Sequence, residues 1–124
     1  MNLLDSNIVI AVASSDDAAV NRLVLESSYS VSVVTRIEVL GYQRLTQEDK
    51  DDLLAFLAGG RELGLDDAVA ETAVRLRQER RMGLGDAIIA ATALVHRLPL
   101  VTRNWDDFKH VAGLELVNPF TPSN

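Results

Sequence analysis

Gly85-Asp86-Ala87-Ile88-Ile89-Ala90-Ala91-Thr92-Ala93-Leu94 reads as a helix with one charge, at its start, and only small or aliphatic residues after it. Ala90 and Ala93 share a face with Asp86 at helical spacing. Small side chains there let the helix approach a sheet closely and hold the carboxylate rigidly. A plain buried helix explains everything except the acid, because a charge at a buried helix end needs a partner. A metal ion is one such partner.

Outward from this helix, short apolar runs alternate with amphipathic stretches. Downstream, residues 98–102 read as a strand, 105–111 as a short helix and 114–117 as a last strand. Upstream, Leu3-Leu4 is a short buried strand and residues 8–13 the helix after it. Asp16 is placed to cap a helix over 17–27, with Val20, Leu23 and Val24 on one face. The β-branched run 31–35 reads as strand two. Residues 36–45 read as a helix with Ile37, Leu40 and Tyr42 partly buried. Thr46 caps a further helix with an apolar face of Leu53, Leu54, Phe56 and Leu57, stopped by Gly59-Gly60. Residues 61–65 form a short strand, Asp66 or Asp67 caps a long helix over 68–81, and the loop 82–85 delivers Asp86. Strands alternating with helices give an α/β fold whose parallel sheet is covered on both sides.

An acid stands at each of several strand-to-helix junctions: Asp5, Glu38, Asp86, and the pair Asp106-Asp107. Any one alone has a plain explanation, as a helix cap or an answer to the helix dipole. Jointly they mean more, because the carboxyl ends of parallel strands share one edge where ligands bind. Carboxylates gathered there repel unless a cation lies between them. Hard oxygen ligands select Mg²⁺ or Mn²⁺, ions that also bind substrate phosphates. Ser6, Asn7, Thr102 and Asn104 supply neutral oxygens to orient the carboxylates or hold water, or to satisfy local backbone groups.

Composition sets outer limits. With 124 residues the chain fits one domain with a substantial core. It has no cysteine, which excludes disulfides, thiolate metal sites and cysteine nucleophiles. No apolar stretch reaches the roughly eighteen residues of a membrane span, and Met1-Asn2-Leu3-Leu4-Asp5 lacks a basic leader. A cytoplasmic protein without a membrane partner is the expectation. The net charge of −6 runs against nucleic-acid binding, yet ten arginines outnumber two lysines, and arginine forks match phosphate.

The segments Leu3-Leu4-Asp5-Ser6-Asn7, Thr35-Arg36-Ile37-Glu38, Gly85-Asp86-Ala87-Ile88-Ile89-Ala90-Ala91-Thr92-Ala93, Val101-Thr102-Arg103-Asn104-Trp105-Asp106-Asp107-Phe108 and Asn118-Pro119 resemble, in order, the PIN-domain ribonucleases of the VapC toxin type. The resemblance spans essentially the whole chain. It implies one three-layer α/β/α domain over 1–124, with a central, mainly parallel sheet of four to five strands. It also implies a Mg²⁺- or Mn²⁺-dependent endoribonuclease acting on RNA, and a homodimer held inactive by a cognate antitoxin. Asp5, Glu38 and Asp86 match the family's acidic metal-site positions. The family often has aspartate where this chain has Asn104, and an acid where it has Asp107. The fourth position therefore falls to Asn104, Asp107 or Asp106. In the family, the region matching the helix after Thr46 takes part in antitoxin binding or dimerisation.

Arg36, Arg81 and Arg103 are the candidate RNA contacts. Arg77, Arg80 and Arg81 also suit the negative end of their helix. Trp105 has the chemistry to stack on a base or to pack in a core or interface. Neither His96 nor His110 has an evident partner. A receiver domain is the first rival, but Asp5 lacks an adjacent acid and Lys50 and Lys109 are poorly placed for it. An aspartyl-nucleophile phosphatase wants an acid where Asn7 stands. The remaining alternative is a PIN-like binding module with weak or no catalysis.

Overall fold

A computed structural model describes residues 1–14, 21 and 28–119. Apart from residue 21, the helix expected over 17–27 lies outside the described residues. Strands β1 (Asn2–Leu4), β2 (Tyr29–Ser32), β3 (Arg61–Leu63), β4 (Leu100–Val101) and β5 (Leu116–Val117) form one sheet in the order β3-β2-β1-β4-β5. Every pairing is parallel. The described helices are α1 (Ser6–Ser14), α2 (Val33–Leu40), α3 (Gln47–Ala58), α4 (Asp67–Glu79), α5 (Leu84–His96) and α6 (Trp105–Phe108).

Alternation along the strands builds the three layers. Leu3 and Leu100 are register partners and face one core, with Leu63, Phe108, and the buried faces of α4 and α5. Their neighbours Leu4 and Val101 face the other, with Val31, Tyr29, Leu53, and Ile8, Val9 and Val12 of α1. The period-two alternation of a strand thus feeds two separate cores. Residues Ala87 to Ala93 of α5 are all buried, consistent with its small, apolar sequence. Thr92 is buried there because its hydroxyl donates to the Ile88 carbonyl at 2.7 Å.

Several boundaries differ from the sequence reading. Strand β2 ends at Ser32, and residues 33–35 are helical. The Ser32 hydroxyl accepts from the Val34 amide at 3.2 Å, an N-cap that overrides the strand preference of Val33, Val34 and Thr35. Helix α2 consequently starts early and stops at Gly41, so Ile37 and Tyr42 are exposed, each at 62%. Helix α5 begins at Leu84 with Gly83 as cap, which puts Asp86 within the first turn and not at the cap. Thr46 and Asp66 cap α3 and α4 as the sequence implied, accepting from Asp49 and Val69 amides.

Two backbone details constrain the frame. The Tyr29 ring stacks on Phe56 with centroids 4.7 Å apart, and its hydroxyl donates to the Phe56 carbonyl at 2.6 Å. A Cβ on Gly60 would come within 2.4 Å of that ring, so the chain passes Tyr29 only as glycine. Helix α5 ends at Arg97 in the left-handed region, φ 56°, where a β-carbon is unfavourable. Arg97→Gly is expected to stabilise the fold by about 0.5–1 kcal/mol, strain relief outweighing glycine's unfolded-state entropy. A urea midpoint equal to or below that of wild type counts against the strain.

Candidate functional site

The strand order reverses direction at β1: the chain moves to β2 and β3 on one side, and to β4 and β5 on the other. A crevice opens between β1 and β4 at such a switch point. Asp5 directly follows β1, and its amide donates to the Val101 carbonyl at 3.0 Å. The strand register thereby fixes the residue's position before its side chain makes any contact.

Asp5 is 4% exposed, and its carboxylate accepts three hydrogen bonds. Oδ1 accepts from the Ser6 amide at 2.8 Å; Oδ2 accepts from the Thr102 hydroxyl at 2.8 Å and from Asn7 Nδ2 at 3.0 Å. Thr102, itself buried, also accepts from the Asn104 amide at 2.9 Å. The Asn7 carbonyl oxygen accepts from the Arg103 amide at 3.3 Å. These bonds tie the β1 and β4 junctions together across 97 residues of sequence.

Glu38 reaches the same edge from α2. Ser6 Oγ donates to Glu38 Oε1 at 2.9 Å and lies 3.3 Å from Thr35 Oγ1. On the other side, Gly85 lies against the Glu38 carboxylate, where an added Cβ would sit 3.3 Å from Oε2. Gly85 thus keeps open the close approach between Glu38 and the start of α5, one residue before Asp86.

Asp86 is pushed up to about 6, by burial first, then by the charges of Asp5, Asp107 and Glu38 in that order. Asp5 is also raised, because burial outweighs its hydrogen bonds from Thr102, Ser6 and Asn7; Glu38 adds to the rise. Every influence on Asp86 acts in one direction, toward the protonated form. Asp5, Asp107 and Glu38 thus reach Asp86 from three different elements, Glu38 from within α2 and not from its first turn.

For the fourth position, Asp107 lines one cavity with Asp86, and its charge adds to the rise of Asp86. Asn104 caps α6 without a side-chain hydrogen bond to it. Asp106 is engaged by Lys109 at 3.0 Å. Of the arginines, Arg81 lines the cavity beside Asp86, whereas Arg36 is ion-paired with Glu62 of β3. Arg77 donates to the Met82 carbonyl at 3.3 Å, the helix-end role its position suggested. Trp105 is 43% exposed and so is no core residue. The sequence reading passed over the Thr35 hydroxyl, although Thr35 stands one helical turn before Glu38. It found no partner for His110, whose place beside Arg80 and Asp107 is visible only in the folded chain.

Among the described residues, no three acidic or histidine side chains form a finished coordination cage. The donor chemistry nevertheless fits a hard divalent cation: anionic oxygens, with hydroxyls behind them. Mg²⁺ commonly takes one or two carboxylates and keeps several waters.

The PIN domain family model matches residues 3–114. Ribonuclease VapC1 of Rickettsia felis is 26% identical over 125 residues, covering 93% of either chain. A chain of a toxin–antitoxin complex from Klebsiella pneumoniae superposes with a TM-score of 0.80 and 31% identity, over 97% of this chain and 98% of that one. FitAcB from Neisseria gonorrhoeae gives 0.72 and 29%, over 96% and 98%. DNA-bound VapBC from Salmonella typhimurium shares the fold at a TM-score of 0.84 and 20% identity, over 96% and 99%. With the motif order, the all-parallel sheet and the acids at its switch point in agreement, the chain belongs to the PIN-domain family, as a member of its VapC toxin type.

Proposed function

We propose that this protein is a Mg²⁺- or Mn²⁺-dependent endoribonuclease, the toxin of a toxin–antitoxin pair, with Asp5, Glu38, Asp86 and Asp107 as its acidic site. The observation that carries the reading is the convergence of Asp5, Glu38 and Asp107 on Asp86 at the switch point, each adding to the rise of its pKa. The name of the Rickettsia felis relative, a ribonuclease, supports the substrate class.

Asp5 and Asp86 would hold the divalent ion, with Glu38 placing a water or a second ion. Bound there, such an ion supplies charge stabilisation at the scissile phosphate and lowers the pKa of water. Thr102, Ser6 and Asn7 orient the Asp5 carboxylate, and Ser6 does the same for Glu38. Asp107 takes the fourth position in preference to Asn104 because it is the one whose charge reaches Asp86. No side-chain nucleophile is required.

Thr102→Val removes a hydrogen bond from a buried carboxylate while keeping the side chain's shape. Mn²⁺ affinity is expected to fall about 10–100-fold, the usual cost of losing an orienting partner behind a metal ligand. Calorimetric titration measures it, and an unchanged affinity removes Thr102 from the site.

An antitoxin partner is supported by the solved relatives, which are toxin–antitoxin complexes. Its docking place is the groove of about 410 Å³ lined by Ile10, Val39, Tyr42, Leu45 and Leu53, which runs up to Glu38. A partner lying there abuts the acids, so binding and inhibition are one event. A homodimer is the proposed state of the free toxin.

The decisive experiment is cleavage of labelled total RNA by purified protein in Mg²⁺, Mn²⁺ or EDTA. Discrete, metal-dependent products establish the activity. A folded, partner-free protein that cuts nothing with any metal is a binding module instead.

A further inference from the structure

Arg80 caps the carboxyl end of α4 in extended backbone, and residues 81–83 turn from there into α5. The bond from Arg77 to the Met82 carbonyl braces this turn. Between it and α6 lies a polar cavity of about 180 Å³, lined by Arg80, Arg81, Asp86, Asp106, Asp107 and His110. That volume is several times the ~30 Å³ of one water molecule. Both ring nitrogens of His110 are buried and lack any hydrogen-bond partner. An imidazole always carries at least one N–H donor, and buried donors in folded proteins are rarely left unmade. Among the described residues neither Arg80 nor Arg81 is ion-paired.

We propose that this cavity is a subsite for a phosphodiester of the RNA strand next to the one being cut, held by Arg80, Arg81 and a ring N–H of His110. This rests on the proposed ribonuclease activity. Two guanidinium forks present the planar donor geometry that phosphate oxygens accept. The wall shared with Asp86 and Asp107 puts the subsite within a nucleotide's reach of the acids, which sets the strand's path. Those acids also explain why it selects a strand over a free anion. Asp106 is answered by Lys109, and a divalent cation on Asp86 and Asp107 removes the remaining repulsion while binding the adjacent phosphate. Occupancy by RNA and by the cation are thus coupled.

Binding of a fluorescein-labelled single-stranded oligoribonucleotide, with Ca²⁺ replacing Mg²⁺, tests the subsite by anisotropy over a range of salt. Arg80→Gln and Arg81→Gln alter exposed side chains and leave the core intact. Each is expected to weaken binding about five- to tenfold. Each should also lower the slope of log affinity against log salt by about 0.7, the mark of one lost phosphate contact on a single strand. The His110 ring ¹⁵N resonances should move when the oligonucleotide binds wild type, and much less in Arg81→Gln. Unchanged slopes in both variants, with static His110 resonances, overturn the subsite even if the protein cleaves RNA. The full binding signature without cleavage in Mg²⁺ supports the subsite and instead removes the nuclease reading.

Discussion

Asp86→Asn is expected to abolish RNA cleavage, by about 10³-fold or more, while making the metal-free protein more stable. Several kcal/mol of charge stabilisation at the phosphate would depend on the ion proposed to bind at Asp86. The same carboxylate is a burden without that ion. Its folded pKa, about 6, is raised above the ordinary 3.8 by burial and by Asp5, Asp107 and Glu38. A raised carboxylate binds its proton more tightly in the folded state, so its favourable contribution is full below about 3.8 and is lost as pH rises through about 6. Stability of the metal-free wild type should therefore fall between about pH 4 and pH 7. Solvent screening at this half-buried group leaves roughly 1–2 kcal/mol of that effect. Asp86→Asn should recover it, raising Tm in EDTA at pH 7.5 by about 3–8 °C. Mn²⁺ should stabilise wild type and leave the variant nearly unmoved. An inactive variant whose Tm in EDTA matches wild type would show that the acids do not repel as described.

Phe108→Ala should be the most damaging single truncation. Phe108 is fully buried in the core formed with Leu3, Leu100 and Val111. Large-to-small changes of this kind cost about 3–5 kcal/mol, against the 5–15 kcal/mol that holds a typical domain together. The consequence reaches the site, because α6 is only four residues long and Phe108 is the side chain that anchors it beneath Asp107. The variant should melt at least ~10 °C lower and lose Mn²⁺ affinity in its remaining folded fraction. Phe108→Leu, which keeps most of the volume, should cost less than about 1.5 kcal/mol. If urea denaturation finds less than 1 kcal/mol for the alanine variant, Phe108 is not the anchor.

The layered α/β arrangement was legible because its signals are local. Thr46 and Asp66 announce their helices as caps, and Leu3-Leu4 followed by Asp5 marks a strand end in a few residues. The acids were legible for the same reason, each being tied to a junction. What escaped depended on contacts distant in sequence or on a competition between local preferences. Val33-Val34-Thr35 favours a strand by composition, and a single hydroxyl at Ser32 decides for a helix. Arg36 looked available for RNA until Glu62, 26 residues away, was found to hold it. Which acid of the short helix α6 acts on Asp86, Asp107 and not Asp106, depends on how that helix is set against α5. Spacing in one dimension carries no such information.

Asp5 is made 97 residues before Thr102, the residue that holds its carboxylate. Strand β1 likewise lies between β2 and β4, and Leu3 pairs with Leu100. During translation, which adds roughly 5–20 residues per second, a nascent chain ending short of β4 has Asp5 but nothing to hold it. The carboxylate cluster is thus assembled only once β4 has been made. A protein that would cut its own cell's RNA is harmless while it is being built, and the interval before β4 pairs with β1 is time in which a neutralising partner can already be present.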